Sequence, residues 1–148
     1  MPPVLMDTNL LVYLYDFHTP HKQVQARNVL GEINLSHSGR ISVQSLAEFF
    51  QVTTRRLNPP LSISDALDQV NFFLRIWPVF NLTPLIVMEA ARGVRDHGLA
   101  YFDAQIWAAA RLNQVTVIFS EDFSHGQVLE GVRFINPFAP DFHLKDWL

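Results

Sequence analysis

Short unbroken apolar runs alternate along this chain with longer stretches in which apolar residues recur at helical spacing. Val4-Leu5-Met6 is the first run; it ends in Asp7-Thr8-Asn9, and the apolar residues from Leu10 to Tyr15 predict a short helix over about residues 8 to 15. Asp16-Phe17-His18-Thr19-Pro20 breaks the pattern. Thr19 is then the expected N-cap and Pro20 the first residue of a helix reaching about Leu35, with Val24, Ala26, Val29, Leu30 and Ile33 keeping the period. Arg40-Ile41-Ser42-Val43 predicts a second strand, and Gln44 to Leu57 a helix with two faces. Leu46, Phe49, Phe50, Thr53 and Leu57 fall on one side; Gln44, Glu48, Gln51 and Arg55 fall on the other. Asn58-Pro59-Pro60 stops that helix, and Ser62 or Ser64 can cap the next, which carries Ala66, Leu67, Val70, Phe73, Leu74 and Trp77.

The second half repeats the alternation. Pro78 to Leu82 predicts a strand with proline at its first position, and Thr83-Pro84 opens a helix that closes at His97-Gly98. Phe102 to Ala110 is an alanine-rich helix start, whose small side chains allow close approach to a neighbour. Val115 to Phe119 is the clearest strand, β-branched and almost without polar alternation, as expected when both faces are covered. Ser120-Glu121-Asp122 follows it, Val132 to Pro137 is a final strand, and the proline-rich tail through Trp147 is expected to pack on the outside. Strands alternating with helices predict an α/β fold: a parallel sheet covered on both faces with right-handed crossovers. No internal repeat or linker interrupts it, so residues 1–148 read as a single domain.

Composition narrows the picture. A chain of 148 residues, 49% apolar and 17% charged, is globular, and at this size folding buries roughly 70% of the unfolded surface. The absence of cysteine removes disulfides, thiolate zinc sites and cysteine nucleophiles together. No basic residue precedes the first apolar run, which itself meets Asp7, and no apolar stretch approaches a membrane span, so a cytoplasmic protein is expected. A net charge of −3 speaks against coating nucleic acid through bulk charge, but not against meeting it through a metal and a few arginines.

Four acids then stand out by position. Asp7 and Asp122 each close a buried-looking strand, Glu48 lies within a turn and a half of another, and Asp103 begins a helix. Carboxyl ends of strands are where sites lie in open α/β sheets. Taken singly, Asp103 reads as an N-cap, Asp122 as a turn former and Glu48 as a solvated helix residue; Asp7, ending a buried strand, has no such ordinary reading. Gathered at one rim, they need a cation: two carboxylates ~5 Å apart at an effective dielectric of ~20 repel by roughly 3 kcal/mol. Hard oxygen donors without thiolates or paired imidazoles suit Mg²⁺ or Mn²⁺, and such an ion supports phosphodiester hydrolysis.

Met6-Asp7-Thr8-Asn9, Ser45-Leu46-Ala47-Glu48-Phe49, Phe102-Asp103-Ala104-Gln105-Ile106-Trp107-Ala108-Ala109-Ala110 and Ser120-Glu121-Asp122-Phe123 with Gly126 beyond together carry a resemblance. In this order and spacing they resemble the PIN-domain ribonucleases, most closely the VapC-type toxins of prokaryotic toxin–antitoxin pairs. The resemblance implies a compact three-layer α/β/α sandwich, Mg²⁺- or Mn²⁺-dependent endoribonuclease activity, a homodimer, and inhibition by a small cognate antitoxin. It assigns Asp7, Glu48, Asp103 and Asp122 to the metal-binding acids, with Asp122 preferred to Glu121, and Thr8, Asn9 and Ser120 to their polar support. A catalytically degenerate module that binds RNA or a partner is the alternative.

Other features carry less. His18 and His21 lack a third ligand, and Ser124-His125 is not a nucleophile–base pair by adjacency. Arg55, seven residues after Glu48 on the same helix face, is a candidate for an RNA phosphate or a dimer partner; Arg56, Arg92, Arg95 and Arg111 are weaker ones. Phe72, Phe73, Trp77 and Phe80 read as core or dimer surface. A haloacid-dehalogenase-like phosphatase would want an acid where Asn9 stands, and a receiver-like domain a late lysine, whereas the lysines are Lys22 and Lys145.

Overall fold

The computed structural model describes residues 1–147. Its elements are β1 (Val4–Met6), α1 (Thr8–Tyr13), α2 (Pro20–Leu35), β2 (Gly39–Ser42), α3 (Val43–Arg55), α4 (Ile63–Ile76), β3 (Val79–Phe80), α5 (Pro84–His97), α6 (Tyr101–Leu112), β4 (Val117–Phe119), β5 (Val128–Leu129), β6 (Val132–Ile135) and a 3-10 turn, Leu144–Trp147. The strands form one sheet in the order β3-β2-β1-β4-β6-β5. β1 lies between β2 and β4, parallel to both, with Val4 opposite Gly39 and Val117 and with Met6 opposite Phe119. The chain leaves β1 toward β2 on one side and later returns as β4 on the other.

Alternation along these short strands sorts the core into two layers. Val4, Met6, Ile41, Val117, Phe119 and Ile135 face α1 to α4, where Leu10, Leu11, Val29, Ile33, Phe49 and Phe73 meet them. Leu5, Ile118 and Phe134 face the opposite way, onto Ile86 and Ala90 of α5 and the buried run Ala104 to Ala110 of α6. The result is the expected α/β/α sandwich. The tail does more than cover the outside, since Phe142 is buried and both it and Trp147 pack edge-on against Phe119.

Local chemistry sets the element ends. Ser42, Ser62 and Thr83 cap α3, α4 and α5 by accepting from the backbone N–H three residues on, and Gly98 stops α5 in the left-handed conformation at φ 66°. Thr19 departs from expectation: it holds the N-cap position before Pro20, but its hydroxyl makes no capping bond and is buried without a partner. Its backbone lies at φ −127°, ψ 68°, away from the extended geometry with which Thr83 caps α5 behind the same Thr-Pro pair. The sequence pattern also missed β5. It pairs antiparallel with β6 across a two-residue turn in which Glu130 and Gly131 both have positive φ, the mirror-image turn that suits a hairpin's twist. Glutamate in place of the usual asparagine or glycine hid that turn. The aromatic set divides as well, with Phe73 and Trp77 buried and Phe72 half exposed.

Contact between α5 and α6 depends on one glycine. A Cβ on Gly93 would lie 2.7 Å from Cζ3 of Trp107, which is fully buried and cannot withdraw. Gly93→Ala is therefore expected to destabilise the protein by about 1–3 kcal/mol despite alanine's better helix propensity. Gly31→Ala, on a side of α2 with nothing near the added methyl, is expected to stabilise by about 0.5–1 kcal/mol. Thermal denaturation of the two variants should show shifts of opposite sign, at roughly 2–4 °C per kcal/mol for this chain length.

Candidate active site

β1 ends at Met6, and Asp7 follows it as the N-cap of α1, its Oδ1 accepting from the Thr8 backbone N–H at 2.8 Å. Its other oxygen accepts from the Ser120 hydroxyl at 2.7 Å, so the residue after β1 is tied to the residue after β4. The backbone joins them too: Asp7 N–H donates to the Phe119 carbonyl at 3.0 Å. Ser120 is fully buried and serves as a hub, its Oγ also accepting from the Asp122 N–H at 3.1 Å and the Asn9 amide at 3.3 Å. That amide reaches Asp122 Oδ2 at 3.3 Å as well.

Glu48 enters from α3, the helix after β2. Thr8 Oγ1 donates to its Oε2 at 2.7 Å, and Gln44 Nε2 to its Oε1 at 2.9 Å. Gln44 in turn donates to the Phe102 carbonyl and accepts from Gln105 of α6 at 2.7 Å. Both oxygens of Glu48 are thus aimed by hydrogen bonds, and it is not merely a solvated helix residue. Gln44 and Gln105 were not singled out in the sequence as site residues. The available signals were the four-residue Gln44–Glu48 spacing on one helix face and a lone amide inside the apolar α6 run.

Asp103 lies in the first turn of α6, but the N-cap is Ala100, so the capping reading of Asp103 does not hold. Glu121, the rival to Asp122, is taken elsewhere: Tyr13 donates to it, and Lys22 pairs with it at 2.8 Å. Arg55 lies two turns beyond Glu48 along α3, about 10 Å further along the axis, exposed and away from the acids. His18 is exposed, and His125 accepts from the Asn136 N–H through Nδ1 and faces Asp141.

Electrostatics record the crowding. Burial pushes the Asp7 carboxyl up to about 7, against the opposing bonds from Ser120 and Thr8, and Asp122 and Glu48 push the same way. Asp103 is raised by burial, then by Asp122 and Glu48; Asp122 is raised by burial, then by Glu121. Among the described residues no lysine, arginine or histidine pairs with Asp7, Glu48, Asp103 or Asp122. Nor do three carboxylates or imidazoles among them converge into a ready-made coordination shell. Asn9 Oδ1 is buried without a hydrogen-bond partner. This all-oxygen donor set fits a hard dication that keeps several of its own waters and takes only one or two carboxylates directly.

Solved structures share this architecture. A toxin–antitoxin complex from Klebsiella pneumoniae superposes with a TM-score of 0.67 at 17% identity over 91% of this chain and 98% of that one. VapC20 of Mycobacterium tuberculosis, a sarcin-ricin-loop-cleaving toxin, gives 0.65 at 19% identity over 88% and 98%. The DNA-bound VapBC of Salmonella typhimurium gives 0.64 at 18% identity over 90% and 97%. At these identities the likeness is one of fold. No curated protein matches the sequence significantly. The PIN domain family model matches residues 4–128, the span that holds all four acids, and the chain belongs to the PIN-domain family.

Proposed function

We infer that the protein is a divalent-metal-dependent endoribonuclease, a single catalytic domain over residues 1–148 acting as the VapC-type toxin of a toxin–antitoxin pair in the cytoplasm. One observation carries the reading: a buried carboxylate at the carboxyl end of the central strand, crowded by further acids and without a cationic side chain. Membership of the PIN family supports nuclease chemistry, and the toxin–antitoxin complexes whose fold it shares support an antitoxin partner; a homodimer is part of the same proposal. No helix of the described residues is long and apolar enough to cross a membrane.

Asp7, Glu48, Asp103 and Asp122 would hold Mg²⁺ or Mn²⁺. Such an ion, when bound, supplies the positive charge that polarises a phosphoryl oxygen and eases deprotonation of an attacking water. Thr8 and Gln44 hold Glu48 in place, Ser120 holds Asp7, and Asn9 steadies Asp122. Strand, cap and the Ser120 hydroxyl together fix the orientation of the Asp7 carboxyl. RNA is the proposed substrate; Arg55 lies too far along α3 to reach the same phosphate as Glu48, which confines it to a flanking phosphate or a partner chain.

Purified protein should cut single-stranded regions of a mixed RNA sample in Mg²⁺ or Mn²⁺ and stop in EDTA. Asp7→Asn should lower the rate by more than about 100-fold, while Gln44→Leu, which removes a donor that orients Glu48, should cost about 10–100-fold. Full activity of Asp7→Asn with unchanged folding would overturn the assignment; binding without cleavage by the wild type would favour the degenerate module.

Burial of Asp7 also sets a pH dependence of stability. With a folded value near 7 against an ordinary 3.8, its contribution is full below about pH 4, and declines as pH rises because the unfolded chain ionises first. Above about 7 both states are ionised and the loss levels off. In metal-free protein, denaturant unfolding should show wild type losing stability relative to Asp7→Asn between about pH 4 and 7, and Mg²⁺ should restore it only in the wild type. A flat difference across that window would contradict the burial.

A further inference from the structure

Beside Glu48 an open cleft of about 540 Å³ runs between α3, α6 and the loop after β3. Val43, Ala47, Leu82 and Phe102 line its walls, and the amides of Gln44 and Gln105 lie among them, bonded to each other. Phe102 is 65% exposed and Leu82 50%, and both lie directly beside the cluster of acids. Tyr101 meets the Phe102 ring edge-to-face at 5.2 Å, and the Phe102 carbonyl is held by Gln44, so this aromatic is braced from ring and backbone together.

Charge says what this wall is for. Apart from a dication held at Asp7, Glu48, Asp103 and Asp122, the rim offers a polyanion only like charge, and Lys22, the cation close to the β4 end of the rim, is committed to Glu121. Phosphate contacts ordinarily supply most nucleic-acid affinity, and here the rim offers them little. An aromatic face offers attraction that needs no charge, since every base can stack on it, and the cleft's size lies within the ~300–1,000 Å³ range of ligand sites.

We propose that the Phe102 cleft is a nucleobase subsite, receiving an unstacked base of single-stranded RNA next to the phosphate held at the acids. The inference rests on the nuclease reading. The ring of Phe102 provides the stacking face, Leu82 and Val43 close the sides, and the mutually bonded Gln44 and Gln105 present a polar floor. Because Gln44 also bonds Glu48, the floor of the subsite and the aim of one acid are one piece of structure. Phe102 is a positioning residue for substrate and takes no part in the chemical step.

The test uses a short fluorescein-labelled single-stranded RNA of mixed sequence and an abasic strand of equal length. Binding is measured by anisotropy in the Asp7→Asn background, and cleavage in Mg²⁺ with Asp7 intact. Phe102→Ala should weaken binding of the base-bearing strand about 5- to 100-fold and raise KM with kcat nearly unchanged. Phe102→Trp should restore binding, and the abasic strand should not distinguish the variants. Equal KM and binding for Phe102→Ala and wild type would overturn the subsite and leave the nuclease intact. Equal loss with the abasic strand would overturn base stacking, and a change of oligomeric state in Phe102→Ala, read by sedimentation, would assign the cleft to a second copy of the chain. RNA neither bound nor cut by the wild type would overturn both readings.

Discussion

Taking a carboxylate out of water at the end of a buried strand costs more than its neighbours return. Asp7 accepts one bond from a backbone N–H and one from a buried hydroxyl, each charge-assisted and short, yet burial still holds its proton up to about pH 7. The surroundings are organised around that imbalance. Ser120 is fully buried because it must donate to Asp7, and its remaining lone-pair capacity fixes Asp122 and Asn9. α1 begins where it does because Asp7 caps it.

The sheet makes this possible. β1 is the strand from which the chain departs in one direction and beside which it returns from the other, so the ends of β1 and β4 are adjacent although more than a hundred residues separate them. A crevice at such a point is where α/β sheets place ligands. Glu48 and Asp103 come from helices on opposite faces, and the Gln44–Gln105 amide pair joins those helices across the edge of the sheet. Removing water from these amides is tolerable because Gln105 donates to the Gln44 oxygen while the Gln44 amide nitrogen donates to Glu48 and to the Phe102 carbonyl. One polar chain from Thr8 through Glu48 and Gln44 to Gln105 therefore links three helices.

Much of this could be read from the residues. β-branched and apolar runs announced β1 and β4, and residues such as Ser62 and Thr83 marked helix starts, because those signals are local. Asp7 was legible for the same reason: an acid ending an apolar strand conflicts with its neighbours. What could not be read was pairwise. Nothing local says that Glu121 would be drawn to Tyr13 and Lys22 while Asp122 turns toward Asn9, or that Gln105 would find Gln44 sixty-one residues away. The hairpin Val128–Ile135 escaped because its turn uses a residue that mirror-image turns ordinarily avoid.

That residue answers to two masters. Glu130 holds a left-handed backbone at φ 48°, for which glycine or asparagine would be easier, yet its carboxylate meets Arg92, His97 and Arg111, the two arginines lying over the face of Trp107. A change that relaxed the turn would remove one of the carboxylates facing Arg92 and Arg111 and leave Glu89 facing both guanidiniums; a change that kept the charge leaves the backbone strained. Sequence drift at this position is consequently coupled to Glu89: glycine can relax the turn while Glu89 still faces both guanidiniums, and the same change weighs more once that second carboxylate is gone.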